Sequence, residues 1–147
     1  MDKEHQLAWM AGFADGESCI HIGKCVTKRK TSMVYTNYQL TFHISQKTYE
    51  SCARFKEFFK CGSLRIEFRK GKPYWYWRAT GTDASESLKQ LLPYLFTKKR
   101  EAENAIAYQE FKGTRSLTKG KKGSGYSVED KETMEKYHTA SMSLNQS

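Results

Sequence analysis

From Val34 to Gln46 apolar and polar residues alternate with period two. Val34, Tyr38, Leu40, Phe42 and Ile44 face one way, and Tyr35, Asn37, Gln39, Thr41, His43 and Ser45 face the other. The pattern predicts a long strand with one apolar and one hydrogen-bonding face. Ser18 to Val26 is also β-prone, and the basic loop 27–32 separates the two segments. The theme returns where Leu64, Ile66 and Phe68 alternate with Arg65, Glu67 and Arg69. A turn at Lys70-Gly71-Lys72-Pro73 leads into Tyr74–Thr80, with Trp75, Trp77 and Ala79 toward the core and Tyr74, Tyr76, Arg78 and Thr80 outward.

Helical spacing governs the rest of the chain. One helix starts after Asp2 as N-cap and runs through Leu7, Trp9, Met10 and Phe13 to Glu17. A second follows Thr48, carries Phe55, Phe58 and Phe59, and stops before Gly62. The capping box Asp83-Ala84-Ser85-Glu86 opens a third, which Pro93 closes. Thr97 to Lys112 forms a fourth ended by Gly113, and Ser127 caps a last one reaching about Leu144. The predicted order is αββαββα with an appended helix, an α+β fold. It suits a four-stranded antiparallel sheet with helices on one face and the other face open. Residues 1–112 form the expected core, 113–126 a flexible loop rich in glycine and lysine, and 127–147 a C-terminal helix packed on the core.

At 147 residues the chain suits one domain. Lys and Arg outnumber Asp and Glu by 25 to 16, a net charge of +9, which favours a polyanionic partner. Cys19, Cys25, Cys52 and Cys61 show no C-x-x-C spacing, so reduced thiols are expected rather than a zinc site or a disulfide framework. No apolar run is long enough for a membrane span, and the N-terminus shows no secretory pattern. The expectation is a soluble, intracellular protein with no membrane partner.

Two places carry candidate chemistry. On the first helix, Ala8, Gly12 and Gly16 share a face almost bare of side chains, and two acids, Asp15 and Glu17, stand at its C-terminal end. Glycine costs about 1 kcal/mol in a helix interior, and acids oppose the negative end of the helix dipole. Close approach of another backbone explains the first feature and a bound cation the second. An ordinary packed helix ended by an Asp-Gly turn remains the alternative.

The open sheet face is the other place. It would present Tyr35, Asn37, Gln39, Thr41 and His43 on one hairpin, with Arg65, Glu67, Arg69, Tyr76 and Arg78 on the other. Arg pairs with guanine, Asn and Gln pair with adenine, and a two-stranded ribbon fits the major groove. Lys28, Arg29, Lys30, Lys70 and Lys72 at the hairpin tips would meet phosphates. Any solvated sheet face is polar, however, and that plainer reading stands beside the first.

The run Met10-Ala11-Gly12-Phe13-Ala14-Asp15-Gly16-Glu17-Ser18 resembles the motif of the LAGLIDADG homing endonucleases. Ala11, Gly12 and Asp15 are identical to it, and only Ser18 departs, where the motif ends in glycine. The resemblance extends to the αββαββα order over residues 5–112. It implies a motif helix packed on its counterpart through Ala8, Ala11, Gly12, Asp15 and Gly16, with Asp15 mainly structural. It further implies that Glu17 and the carbonyl of Gly16 hold Mg²⁺, for which Mn²⁺ can substitute, that Gln46 orders catalytic water, and that Lys98 supports its activation. Glu50 stands where some relatives carry a basic residue, a charge that Lys47, Lys99 or Arg100 could supply.

With one motif copy, the implied working unit is a homodimer cutting both strands of a long pseudo-palindromic duplex DNA site. Such proteins are encoded in prokaryotic, phage or organelle genomes. The alternatives are a cleavage-deficient intron maturase, with intron RNA as partner, a DNA-binding regulator of the same fold, and an unrelated RNA-binding sheet protein. The last requires aromatic residues such as Trp75 and Trp77 on the open face.

Overall fold

The computed structural model describes residues 2–28, 34–116 and 126–146. Its elements are α1 (Lys3–Glu17), β1 (Ser18–Lys28), β2 (Val34–Gln46), α2 (Tyr49–Phe59), β3 (Ser63–Arg69), β4 (Lys72–Thr80), α3 (Gly81–Leu91), a 3-10 turn (Leu92–Tyr94), α4 (Lys99–Ser116) and α5 (Val128–Gln146). The strands form one antiparallel sheet in the order β1-β2-β4-β3, so the two hairpins meet where β2 pairs with β4. No described helix is long and apolar enough to cross a membrane.

The apolar face of the sheet is buried under the helices. Ile20, Ile22, Leu40, Phe42, Ile44, Trp77 and Ala79 meet Met10 and Ala14 of α1, Phe55 of α2, Leu88 of α3 and Tyr108 of α4 in one core. Trp77 is its largest member, edge-on to Phe42 with ring centroids 5.3 Å apart, and its indole N–H donates to the Cys61 carbonyl at 2.9 Å. Trp75 lies on the same side, half-buried against Tyr49. Both tryptophans therefore turn away from the open face, and the stacking platform that the RNA-binding alternative needs is not built from them.

Several boundaries differ from the sequence expectation, each for a local reason. α3 begins at Gly81 rather than after Asp83, because Gly81 takes a positive φ of 56° and turns β4 directly into the helix. Asp83 is thus not a cap but a first-turn residue whose carbonyl accepts from the Ser87 hydroxyl. α4 runs through Gly113 to Ser116, since packing of Phe111 on Tyr137 and a bond from Lys112 Nζ to the Tyr38 carbonyl hold its last turns. The β3–β4 turn is only Lys70-Gly71, both with positive φ, the backbone of a two-residue hairpin. Ile66 and Phe68 remain 45% and 65% exposed, and Pro73 opposite Phe68 is exposed with them, because the helices do not reach this end of the hairpin. Of the expected 113–126 loop, residues 117–125 lie outside those described.

α5 closes one side of the sheet. Strand β1 is an edge, and edges leave backbone groups unpaired. Here the Ile22 N–H donates to Ser141 Oγ at 3.0 Å, while His138 Nδ1 donates to the Ile22 carbonyl at 2.6 Å. Asn145 donates to the Ile20 carbonyl at 3.2 Å, and Met134 anchors α5 in the core.

Two substitutions test this packing. Ser141→Ala leaves a buried amide without its acceptor and should cost about 1–3 kcal/mol in urea unfolding. Gly62 has φ of 83°, and a Cβ there would lie 2.7 Å from both the Arg78 carbonyl oxygen and Trp77 Nε1. Gly62→Ala should therefore cost at least about 1–3 kcal/mol, with a changed Trp fluorescence in the native state.

Candidate functional site

The end of α1 gathers the implied site residues. Asp2 caps the start of the helix by accepting from the His5 amide at 2.8 Å, and fifteen residues later the chain enters β1 without a loop. Ser18 makes that junction. Its amide and its hydroxyl both bond the Ala14 carbonyl, the hydroxyl at 2.7 Å, so the departure from glycine at this position supplies a C-terminal cap.

Asp15 reaches across to the segment before α4. Its two carboxylate oxygens accept from the backbone amides of Phe96, at 2.9 Å, and Lys98, at 3.0 Å. That clamp sets the position of Lys98, whose ammonium donates to the Ser18 carbonyl. A cation is thereby held at the negative end of the α1 dipole. From the far end of β2, Gln46 Nε2 donates to Glu17 Oε2 at 3.2 Å. Glu17 is exposed and follows Gly16 in the last helical turn, where carbonyls lack intrahelical partners. A carboxylate next to such a carbonyl is a set of hard oxygen donors, the chemistry that Mg²⁺ accepts. Glu50, Lys47, Lys99 and Arg100 are all exposed.

Ala8, Gly12 and Gly16 are exposed along one side of α1, and a Cβ added at Gly12 or Gly16 would meet nothing within 4 Å. Nothing inside the chain requires these glycines. Ala11 is different. It is 0% exposed and belongs to the chain's own core, so the reading that put it in an intermolecular contact is corrected: it is buried within the chain and not on the bare side. Asp15 is likewise engaged within the chain by the two amides.

The open face carries most of the expected readers. Asn37, Gln39, Arg65, Glu67, Arg69 and Arg78 are exposed, as are Lys28, Lys70 and Lys72. Arg69 lies 5.2 Å over the Tyr76 ring and 3.6 Å from Glu67. His43, Arg65, Arg69, Tyr76 and Arg78 help to line a groove of about 850 Å³. Thr41 is the exception. In the middle of the sheet between His21 and Thr80 it is only 4% exposed, too covered to offer its hydroxyl to a large ligand. Arg29 and Lys30 lie outside the described residues, and for Tyr35 only the backbone pairing with Thr27 is described.

The sequence reading passed over Cys19 and His21, which share this face with His43. Cys19 pairs across the sheet with His43, and its Sγ lies 3.7 Å from His21 Nδ1. Burial and then the charge of Arg78 push His21 below the usual histidine range; burial, His21 and Arg78 do the same to His43. Burial raises the Cys19 thiol, against the pull of Lys98. Only strand pairing brings them together, and no spacing motif signals it.

Comparison with known proteins agrees with this geometry. The family model described as LAGLIDADG endonuclease matches residues 10–114. The fold is similar to that of an archaeal intron-encoded homing endonuclease, I-Vdi141I, complexed with DNA, with a TM-score of 0.71 at 14% identity over 97% of this chain and 86% of that one. It is similar to I-CvuI in complex with the I-CreI target in the presence of Mg, with a TM-score of 0.62 at 20% identity, covering 91% and 95% of the two chains. With I-SmaMI bound to uncleavable DNA the TM-score is 0.67 at 16% identity, but 91% of this chain spans only 43% of that one. No curated protein matches. The match across most of the chain, together with the α1 motif and the half-covered four-stranded sheet, makes this protein a member of the LAGLIDADG endonuclease family.

Proposed function

We propose that the chain is a divalent-metal-dependent, sequence-specific DNA endonuclease that acts as a homodimer and hydrolyses one phosphodiester in each strand of duplex DNA. The observation that carries this reading is the convergence of Glu17, Gln46 and Lys98 at the end of a helix whose exposed side is bare at Ala8, Gly12 and Gly16. Two copies joined along that side would bring two Glu17 carboxylates together beneath one duplex. The length relation supports the dimer: the chain spans nearly all of I-CvuI but less than half of I-SmaMI.

Each residue then has a distinct task. Held by Glu17 and the Gly16 carbonyl, Mg²⁺ would polarise the scissile phosphate and acidify a bound water. The Gln46 amide, which donates to Glu17, would orient the attacking water. The Lys98 ammonium offsets charge that builds on the phosphate. Asp15 does not touch the reacting atoms; it positions Lys98 through the segment's backbone. Arg65, Arg69, Arg78, Asn37 and Gln39 would read base edges, and Lys28, Lys70 and Lys72 would hold phosphates.

A randomised duplex library incubated with the protein in Mg²⁺ or Ca²⁺ tests the reading. Selective binding is expected in both and cleavage in Mg²⁺; binding with no Mg²⁺-dependent cutting would overturn it. Glu17→Gln should bind the selected site in Ca²⁺ and cut it at least about 100-fold more slowly, as expected when a metal loses even an outer partner. Asp15→Asn keeps one acceptor oxygen and turns an NH₂ donor toward the other amide, so cleavage should fall while the melting temperature drops. Gly12→Leu meets open space within the chain and should stay folded. It should sediment as a monomer and lose double-strand cutting.

A further inference from the structure

We propose that Cys19, His21 and His43 form a second metal site, for a soft divalent ion of the Zn²⁺ class, separate from the oxygen donors at Glu17. One ligand atom from each residue lies within 4.8 Å of the others, on the open face of the sheet. Bond lengths of about 2.3 Å to sulfur and 2.1 Å to nitrogen in a tetrahedron place ligand atoms roughly 3.5 Å apart. Cys19 Sγ and His21 Nδ1 already stand at 3.7 Å, so closure needs side-chain adjustments only. Cys19 and His43 are direct cross-strand partners, and His21 is two residues from Cys19 on the same strand; the backbone holding all three is fixed by the β1–β2 ladder.

A second observation points to a ligand. His43 Nδ1 is buried and has no hydrogen-bond partner among the described residues. A buried polar atom left alone costs about 1–3 kcal/mol, and a coordinated ion gives it a partner. The donor set also selects the metal. Thiolate with two imidazoles favours Zn²⁺, Co²⁺ or Cu over Mg²⁺ and Ca²⁺, whose preference for oxygen suits Glu17 instead. On binding, the Cys19 thiol gives its proton to solvent and its sulfur donates a lone pair to the ion; no oxidation is involved. The thiolate supplies one negative charge in a neighbourhood that holds Lys98, Arg78 and Arg69 against the single acid Glu101. Three protein ligands leave one position toward the face, open to water or to a base nitrogen. Bound there, the ion would tie β1 to β2 and withdraw His43 from direct base contact.

Co²⁺ titration of the full-length protein without DNA tests the site. One Co²⁺ per chain is expected, with tetrahedral visible absorption and a near-ultraviolet thiolate charge-transfer band, displaced by Zn²⁺ but not by excess Mg²⁺. Cys19→Ser should lose the charge-transfer band, and His21→Asn should lose tetrahedral binding, each with circular dichroism unchanged. Cys25→Ser and Glu17→Gln should keep the full spectrum. Displacement by Mg²⁺, loss in Glu17→Gln, or an unchanged band in either a folded Cys19→Ser or a folded His21→Asn would overturn the proposal. Because Glu17→Gln separates the two centres, failure here leaves the nuclease reading standing, and failure of the nuclease reading leaves this one.

Discussion

The carboxylate of Asp15 is the fixed point on which the arrangement turns. A helix that ends in acids meets its own dipole unfavourably, and two carboxylates within one turn add repulsion. In this chain one of them is neutralised in effect by two backbone amides, and the residue that supplies the second amide also sends its ammonium to the end of the helix. The acid that is left, Glu17, is therefore the one group at this end whose charge is available for other work. Structural and chemical roles are divided between neighbours two residues apart.

The sheet distributes its two faces as strictly. Helices α1 to α4 cover one face completely at its centre, around Phe42 and Trp77, and less so at the β3–β4 hairpin, where Ile66 and Phe68 emerge. The other face carries lysines at the hairpin ends and Arg65 and Arg69 on the β3 edge, while Arg78 stands beside the half-buried His43 in the middle. A polyanion laid across such a surface would meet charge at the rim first and the amides and imidazoles afterwards, an order suited to fast, salt-dependent capture followed by selection.

Much of this was legible in the residues. Strand β2 has the limits its alternation predicts, Val34 to Gln46, because a period of two sustained over so many residues has no helical counterpart. The resemblance implied Glu17, Gln46 and Lys98; in the structure Gln46 bonds Glu17, and Lys98, in the turn before α4, bonds the neighbouring Ser18 carbonyl. Boundaries were less legible. Asp83 has every attribute of a cap and is not one, since Gly81 turns the chain two residues earlier. Gly113 reads as a stop, yet tertiary contacts of Phe111 and Lys112 outweigh its modest helical cost. Ala11 was assigned to the wrong side because one step along a helix turns a residue by about 100°, enough to leave the bare stripe for the core. Cys19 with His21 and His43 was missed for a deeper reason: metal spacing rules count residues along the chain, whereas this cluster is set by register between strands.

The way α5 lies along β1 bears on how copies of the chain can meet. Ser141, His138 and Asn145 occupy outward polar groups of Ile20 and Ile22, which closes that stretch of the border to a foreign strand. The opposite border, β3, is short and studded with Arg65, Glu67 and Arg69, which discourages flat pairing by charge and solvation. Growth of the sheet from molecule to molecule is thus discouraged at both borders, in keeping with the proposed pairing through the exposed stripe of α1. The proposed pairing through a nearly featureless patch would gain from borders that discourage other contacts.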